Sequence, residues 1–134
     1  AFADLSGLNK VKGTWKGSIT LPCAYRPMED LEQQTLTWSV VHDQNPSTVF
    51  RRDSSGDHVL LSKYRDRVSV PKDTPGNMSL VIQNLEVSDR GTYTCRVIWR
   101  AGNNSLIAKE ISTEVEVVKG KPKKAAVWEG KPWL

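Results

Sequence analysis

Cysteine is scarce in this chain: its 134 residues hold two, Cys23 and Cys95, set 72 positions apart. Histidine is equally scarce. His42 and His58 each stand beside an aspartate, not at a spacing that gathers ligands on one face, so no metal site is assigned. No apolar run approaches the roughly 18 residues that a membrane span needs. No apolar leader precedes the domain, so the chain reads as a mature, soluble piece. No glycine-rich phosphate loop and no helical period of useful length are present. Ser54, Ser55 and His58 cluster with Asp53 and Asp57. A turn supplies neither an activated nucleophile with an oriented base nor an oxyanion pocket. Catalytic residues and cofactors are therefore both read as none. The excess of positive charge is local. Lys119, Lys121, Lys123, Lys124 and Lys131, set against Glu129, account for the whole formal +4. The rest of the chain is neutral overall, and nucleic-acid binding is not expected.

What is present is a constellation. Ile19, Leu21 and Cys23 alternate as in a strand, and so do Tyr93, Cys95 and Val97. Trp38 follows the first cysteine inside Leu36-Thr-Trp38-Ser-Val40. Tyr93 precedes the second inside Asp89-Arg-Gly-Thr-Tyr-Thr-Cys95. A disulfide between facing sheets, a tryptophan beside it and a tyrosine corner define an immunoglobulin-type β-sandwich. The bridge implies an oxidising compartment, hence an extracellular or cell-surface setting. Asn77-Met-Ser79 and Asn103-Asn-Ser105 are acceptable N-glycosylation sequences, whereas the proline excludes Asn45-Pro-Ser47.

Turn residues recur at the spacing of a sandwich. Strands are expected over 18–25, 36–41, 47–52, 58–62, 67–70, 78–83, 92–99 and 106–118, with a loose arm over 1–10 and a loop over 26–34. The extra strands between Trp38 and Asp89 favour the variable type. The fold class is thus all-β: an immunoglobulin V-set β-sandwich with one inter-sheet disulfide. Arg67 and Asp89 are placed to bridge the bottom of the barrel. The last strand lacks the Phe/Trp-Gly-x-Gly bulge of antigen-receptor domains, which argues against an antibody or T-cell-receptor chain. Residues 1–119 form the domain. Residues 120–134 are a basic linker or tail carrying Trp128 and Trp133.

With no active site, a surface remains. Alternation puts Thr37, Ser39, Val41, Thr94, Arg96 and Ile98 on the outer face of one sheet, with last-strand residues near Lys109 and Ile111. Ile98, Trp99 and Val41 are expected to form its apolar centre within a polar rim.

The segment from Arg52 through Asp53, Ser54, Ser55, Gly56 and Asp57 to His58, followed by Lys63 and Tyr64, goes beyond generic patterning. It resembles the V-set domain of the complement-receptor family of the immunoglobulin superfamily. Thr14-Trp15-Lys16-Gly17, Leu21-Pro22-Cys23, Pro75-Gly76 and Val97-Ile-Trp99 add to the likeness, which spans about residues 14–119. The resemblance implies a receptor for the activated third complement component, as its b and inactivated-b fragments. Such receptors clear opsonised particles, block the alternative-pathway convertase and restrain T cells. It also implies membrane anchoring of the native protein. The implied contacts are Asp53, Ser54, Ser55, Gly56, Asp57, His58, Lys63 and Tyr64, to which Arg96 and Trp99 are added from the sheet. Leu60 and Leu61 join them as a departure, because the family has two glutamines there. A cell-surface counter-receptor met by the same sheet, and weak homophilic association, are the alternative partners.

Overall fold

The computed structural model describes residues 4–119. The tail with Trp128 and Trp133 lies outside the described residues. Eleven strands are present among them: β1 (Ser6–Gly7), β2 (Lys10–Thr14), β3 (Ile19–Leu21), β4 (Cys23–Ala24), β5 (Leu31–His42), β6 (Asn45–Asp53), β7 (Gly56–Val59), β8 (Val68–Ser69), β9 (Leu80–Ile82), β10 (Gly91–Ala101) and β11 (Leu106–Val118). The larger sheet runs β2-β11-β10-β5-β6-β7. The facing layer consists of β3-β9-β8 and the β1-β4 pair. Pro22 has no N–H to give, and it divides β3 from β4. All sheet pairs are antiparallel except β2 with β11.

The alternation read from the sequence sets the core. Leu21, Leu36, Trp38, Leu80, Ile82, Leu85, Val97 and Tyr93 are buried between the layers. The Cys23–Cys95 disulfide joins the layers with a Cα–Cα distance of 6.6 Å. Trp38 lies beside Cys95 in register on the neighbouring strand, and its Nε1 donates to Met78 O at 2.9 Å. That bond satisfies the one polar atom of a fully buried indole.

Three boundaries differ from expectation. β5 begins at Leu31, inside the polar segment expected to be a loop, because Leu31, Glu32 and Gln33 pair with Ala101, Arg100 and Trp99. Pairing partners, not composition, decided the conformation there. The strand expected over 47–52 begins already at Asn45: Asp43 and Gln44 take φ of 66° and 81°, and Asn45 pairs with His42. Two consecutive positive φ values give a two-residue hairpin turn matched to sheet twist. Finally, the strand expected over 58–62 ends at Val59. A short 3-10 turn over Ser62–Tyr64 then swings Tyr64 into the core.

Candidate functional site

The outer face of the larger sheet is built by register. Glu110 pairs with Arg96, Arg96 with Thr37, Thr37 with Arg51, and Arg51 with His58. Side chains at matched positions of adjacent strands share a face. The result is one row crossing β11, β10, β5, β6 and β7, about 19 Å long at the usual strand spacing. Arg96 is 49% exposed and lies 3.6 Å from Glu110. His58 is 44% exposed. The next row holds Ser112, Thr94, Ser39 and Thr48, with Thr94 and Ser112 hydroxyls 2.9 Å apart. Small side chains there let a flat surface approach the charged row.

The β6–β7 turn fixes one end of that row. Asp53 Oδ1 accepts from Ser55 N at 2.9 Å and from the Ser55 hydroxyl. Ser55 Oγ also lies 2.8 Å from His58 Nε2. Arg51 Nε donates to Asp53 Oδ2 at 2.9 Å. The Ser55 hydroxyl and amide, helped by Arg51, hold the Asp53 carboxyl down at about 2. The order of contacts is aspartate, serine, histidine. With serine in the middle, no carboxylate orients the imidazole as a base, so this cluster is a turn brace and not a catalytic triad.

The other half of the hairpin is committed inward. Arg52 donates to both Asp57 oxygens, at 2.7 and 3.0 Å, and also to Val70 O and Pro71 O. This ties β6 and β7 to the segment after β8. The Arg52 hydrogen bond outweighs partial burial and lowers the Asp57 carboxyl below its usual range.

The expected contact set therefore divides. Asp53, Ser54, Ser55, Gly56 and His58 stand at the upper end of the face. Lys63 and Tyr64 stand at the lower end, where β5 and β6 turn. Lys63 Nζ donates to Ser88 O at 2.8 Å and lies 3.5 Å from Asp89. Tyr64 is buried, and its hydroxyl meets that of Tyr93. Leu60 is exposed, while Leu61 packs on the core. At the same lower end Arg67 Nη1 and Nη2 donate to Asp89 at 2.9 and 3.1 Å, and Tyr93 Oη donates to Asp89 O at 2.6 Å.

Four expectations about the surface are corrected. Trp99 is fully buried, edge-on to Tyr25 with ring centroids 5.0 Å apart, and offers no contact surface. Tyr64 is excluded for the same reason. The β11 residues on the outer face are Ala108, Glu110 and Ser112, because Lys109 and Ile111 pair opposite the inward Val97 and Cys95. Val41 and Ile98 are separated along β5 by the hydroxyl row and the charged row. The centre of the face is thus polar, not apolar. Sequence reasoning also missed Arg51 and Glu110. Their signal was the pairing register, which alternation within single strands does not supply.

The family model for the immunoglobulin V-set domain matches residues 9–118. The chain belongs to the immunoglobulin V-set family. The V-set domain is 39% identical over 120 residues to human V-set and immunoglobulin domain-containing protein 4, covering 90% of this chain and 30% of that protein. It is 36% identical to murine CRIg, whose structure it matches with a TM-score of 0.86, covering 89% of this chain and all of that one. It is also 33% identical over 95 residues to the OX-2 membrane glycoprotein homolog of human herpesvirus 8 type P, covering 71% of this chain and 34% of that protein. The chain therefore spans about a third of the length of these full-length relatives. Its kinship is with cell-surface receptors of the immunoglobulin superfamily, and its V-set domain is a recognition scaffold, not an enzyme.

Proposed function

We propose that this domain is the extracellular recognition module of a membrane-anchored immune receptor, and that it binds activated fragments of the third complement component. The contact surface is the outer face of β11, β10, β5, β6 and β7, closed at its upper end by Asp53–His58. The observation that carries the reading is the row from Glu110 through Arg96, Thr37 and Arg51 to His58. It is exposed, ordered by sheet register and braced by the Asp53–Ser55 turn. A preorganised polar face of this kind binds without first ordering a loop. The likeness to V-set and immunoglobulin domain-containing protein 4 and to CRIg supports the complement assignment.

Charge argues for a foreign partner over a second copy. A two-fold axis parallel to the strands through Thr37 sets Arg96 of one copy against Arg51 of the other. A two-fold axis along the row sets each arginine against itself. Like charges facing each other cost affinity. A partner with acidic groups opposite Arg96 and Arg51 suits the row better.

The test is surface-plasmon binding of the folded domain to the activated b fragment and to the intact third component of the same species. Selective binding to the fragment is expected. Binding to neither sinks the complement reading and transfers the face to a cell-surface counter-receptor. Equal binding to both sinks the claim that activation is read.

A further inference from the structure

We propose that Asn103 carries an N-linked oligosaccharide and that Asn77 does not. Both sit in acceptor sequences, with Ser105 and Ser79 two positions on. The fold treats them differently. Asn103 is exposed on the turn between β10 and β11. Its Oδ1 accepts from Ser105 N at 3.1 Å and from Ser105 Oγ at 2.6 Å. That arrangement polarises the amide and puts the serine hydroxyl beside it on the outside of the protein. Arg100 is held by the neighbouring Asn104, to whose Oδ1 its Nη1 donates at 3.1 Å.

Asn77 is half-buried, bridges to Ala24 across the β4 edge, and lies between buried Gly76 and Met78. Its serine is part of the core. Ser79 is 8% exposed, and its Oγ accepts from Cys23 N at 3.2 Å, next to the disulfide. Gly76 has φ of +84° and a Cβ there would collide with Tyr25 O, so this turn has no room to open. A glycan on Asn77 competes with packing that the disulfide layer needs.

The step uses the lipid diphosphate-linked oligosaccharide of the secretory pathway. The Asn103 Nδ2 bonds to the anomeric carbon of the donor sugar. The bond from that carbon to the lipid diphosphate breaks, the lipid diphosphate leaves, and one amide proton passes to a base of the transferase. The attached sugar stands beyond Arg100, about 17 Å up β10 from the level of Arg96 at the usual rise per residue. It covers exposed Leu106 and leaves the Glu110–His58 row open. The inference is independent of the complement reading.

The chain is secreted from mammalian cells behind a secretion signal and treated with peptide N-glycosidase in heavy-oxygen water. Peptide mass mapping is expected to find the heavy aspartate at 103 and ordinary asparagine at 77. Asn103→Gln and Ser105→Ala each abolish the gel shift on glycosidase treatment. Both sit on an exposed turn, so both variants fold. An unmodified Asn103 overturns the proposal, and so does a glycan mapped to Asn77 in the secreted wild type.

Discussion

The hydroxyls of Tyr64 and Tyr93 lie 2.9 Å apart in the core, with the rings edge-on at a centroid separation of 6.5 Å. Tyr93 Oη donates onward to Asp89 O, so the Tyr64 hydroxyl is left to donate to Tyr93. The chain of bonds ties the 3-10 turn after β7 to the start of β10. Burial, the largest influence on both phenols, pushes each above its ordinary value, so neither ionises near neutral pH. Tyr64→Phe removes one buried hydrogen bond and leaves the ring in place. It is expected to cost about 1 kcal/mol in urea unfolding. Binding to complement fragments is expected to be unchanged, because Tyr64 reaches no surface. A loss of binding in a folded Tyr64→Phe variant would return this residue to the contact set.

Asp89 is fully buried, and burial alone would raise its carboxyl. Arg67, the Glu86 backbone N–H and Lys63 outweigh that and hold it below the ordinary value. A depressed carboxyl contributes stability above its unfolded value, about 3.9, and that stability is lost as pH falls through the folded value. The melting temperature should therefore fall below about pH 4. Asp89→Asn removes the buried charge partner of Arg67 and leaves it the exposed Glu86, 4.0 Å away, and is expected to cost about 3 kcal/mol at neutral pH. The variant should show a flatter acid limb. Parallel acid limbs in wild type and variant would remove Asp89 from the account.

Asp53 should titrate near 2 in carbon-detected NMR. Ser55→Ala removes the hydroxyl that favours the ionised form, so the midpoint should move up toward the ordinary carboxylate value. An unmoved midpoint would mean that the turn brace does not exist in solution.

Leu60 and Leu61 are adjacent but not equivalent. Leu60 is 50% exposed, whereas Leu61 packs against the core. Leu60→Gln is expected to change stability by less than about 0.5 kcal/mol. Leu61→Gln should cost about 1.5 kcal/mol, the value of a partly buried apolar side chain. Equal costs measured by denaturant unfolding would contradict the burial difference.

The sandwich was legible because Cys23, Trp38, Tyr93 and Cys95 each satisfy a separate requirement of one core. Their alternation also gave the buried positions Leu36, Trp38 and Val40 of β5 and Tyr93, Cys95 and Val97 of β10. The candidate face was legible only in part. Thr37 and Arg96 follow from alternation within one strand, but Arg51 and Glu110 join them through pairing, with a register shift between Trp38 and Ser39 on the way. A shift of one residue moves a side chain to the other face. Lys109 and Ile111 were placed one residue out of phase because β11 alone does not set its phase against β10, although the pairing of the two strands runs without a shift. Trp99 continues the inward alternation of Tyr93, Cys95 and Val97, so the parity of β10 already placed it in the core beside Tyr25, and the surface role expected of it ran against that parity. The hairpin motif was read as one surface, yet the 3-10 turn after Leu61 sends Lys63 to a different end of the sheet.

The most direct measurement is the affinity of the Arg51→Glu/Arg96→Glu double variant for the immobilised activated b fragment, beside wild type and a Thr20→Lys control on the opposite layer. Arg51 and Arg96 make only exposed ion pairs, worth less than about 1 kcal/mol each to folding, so the variant stays folded. The account predicts that wild type and Thr20→Lys bind alike and that the double variant binds at least about tenfold more weakly, the equivalent of 1.4 kcal/mol. Undiminished binding by a folded double variant would contradict the assignment of this face.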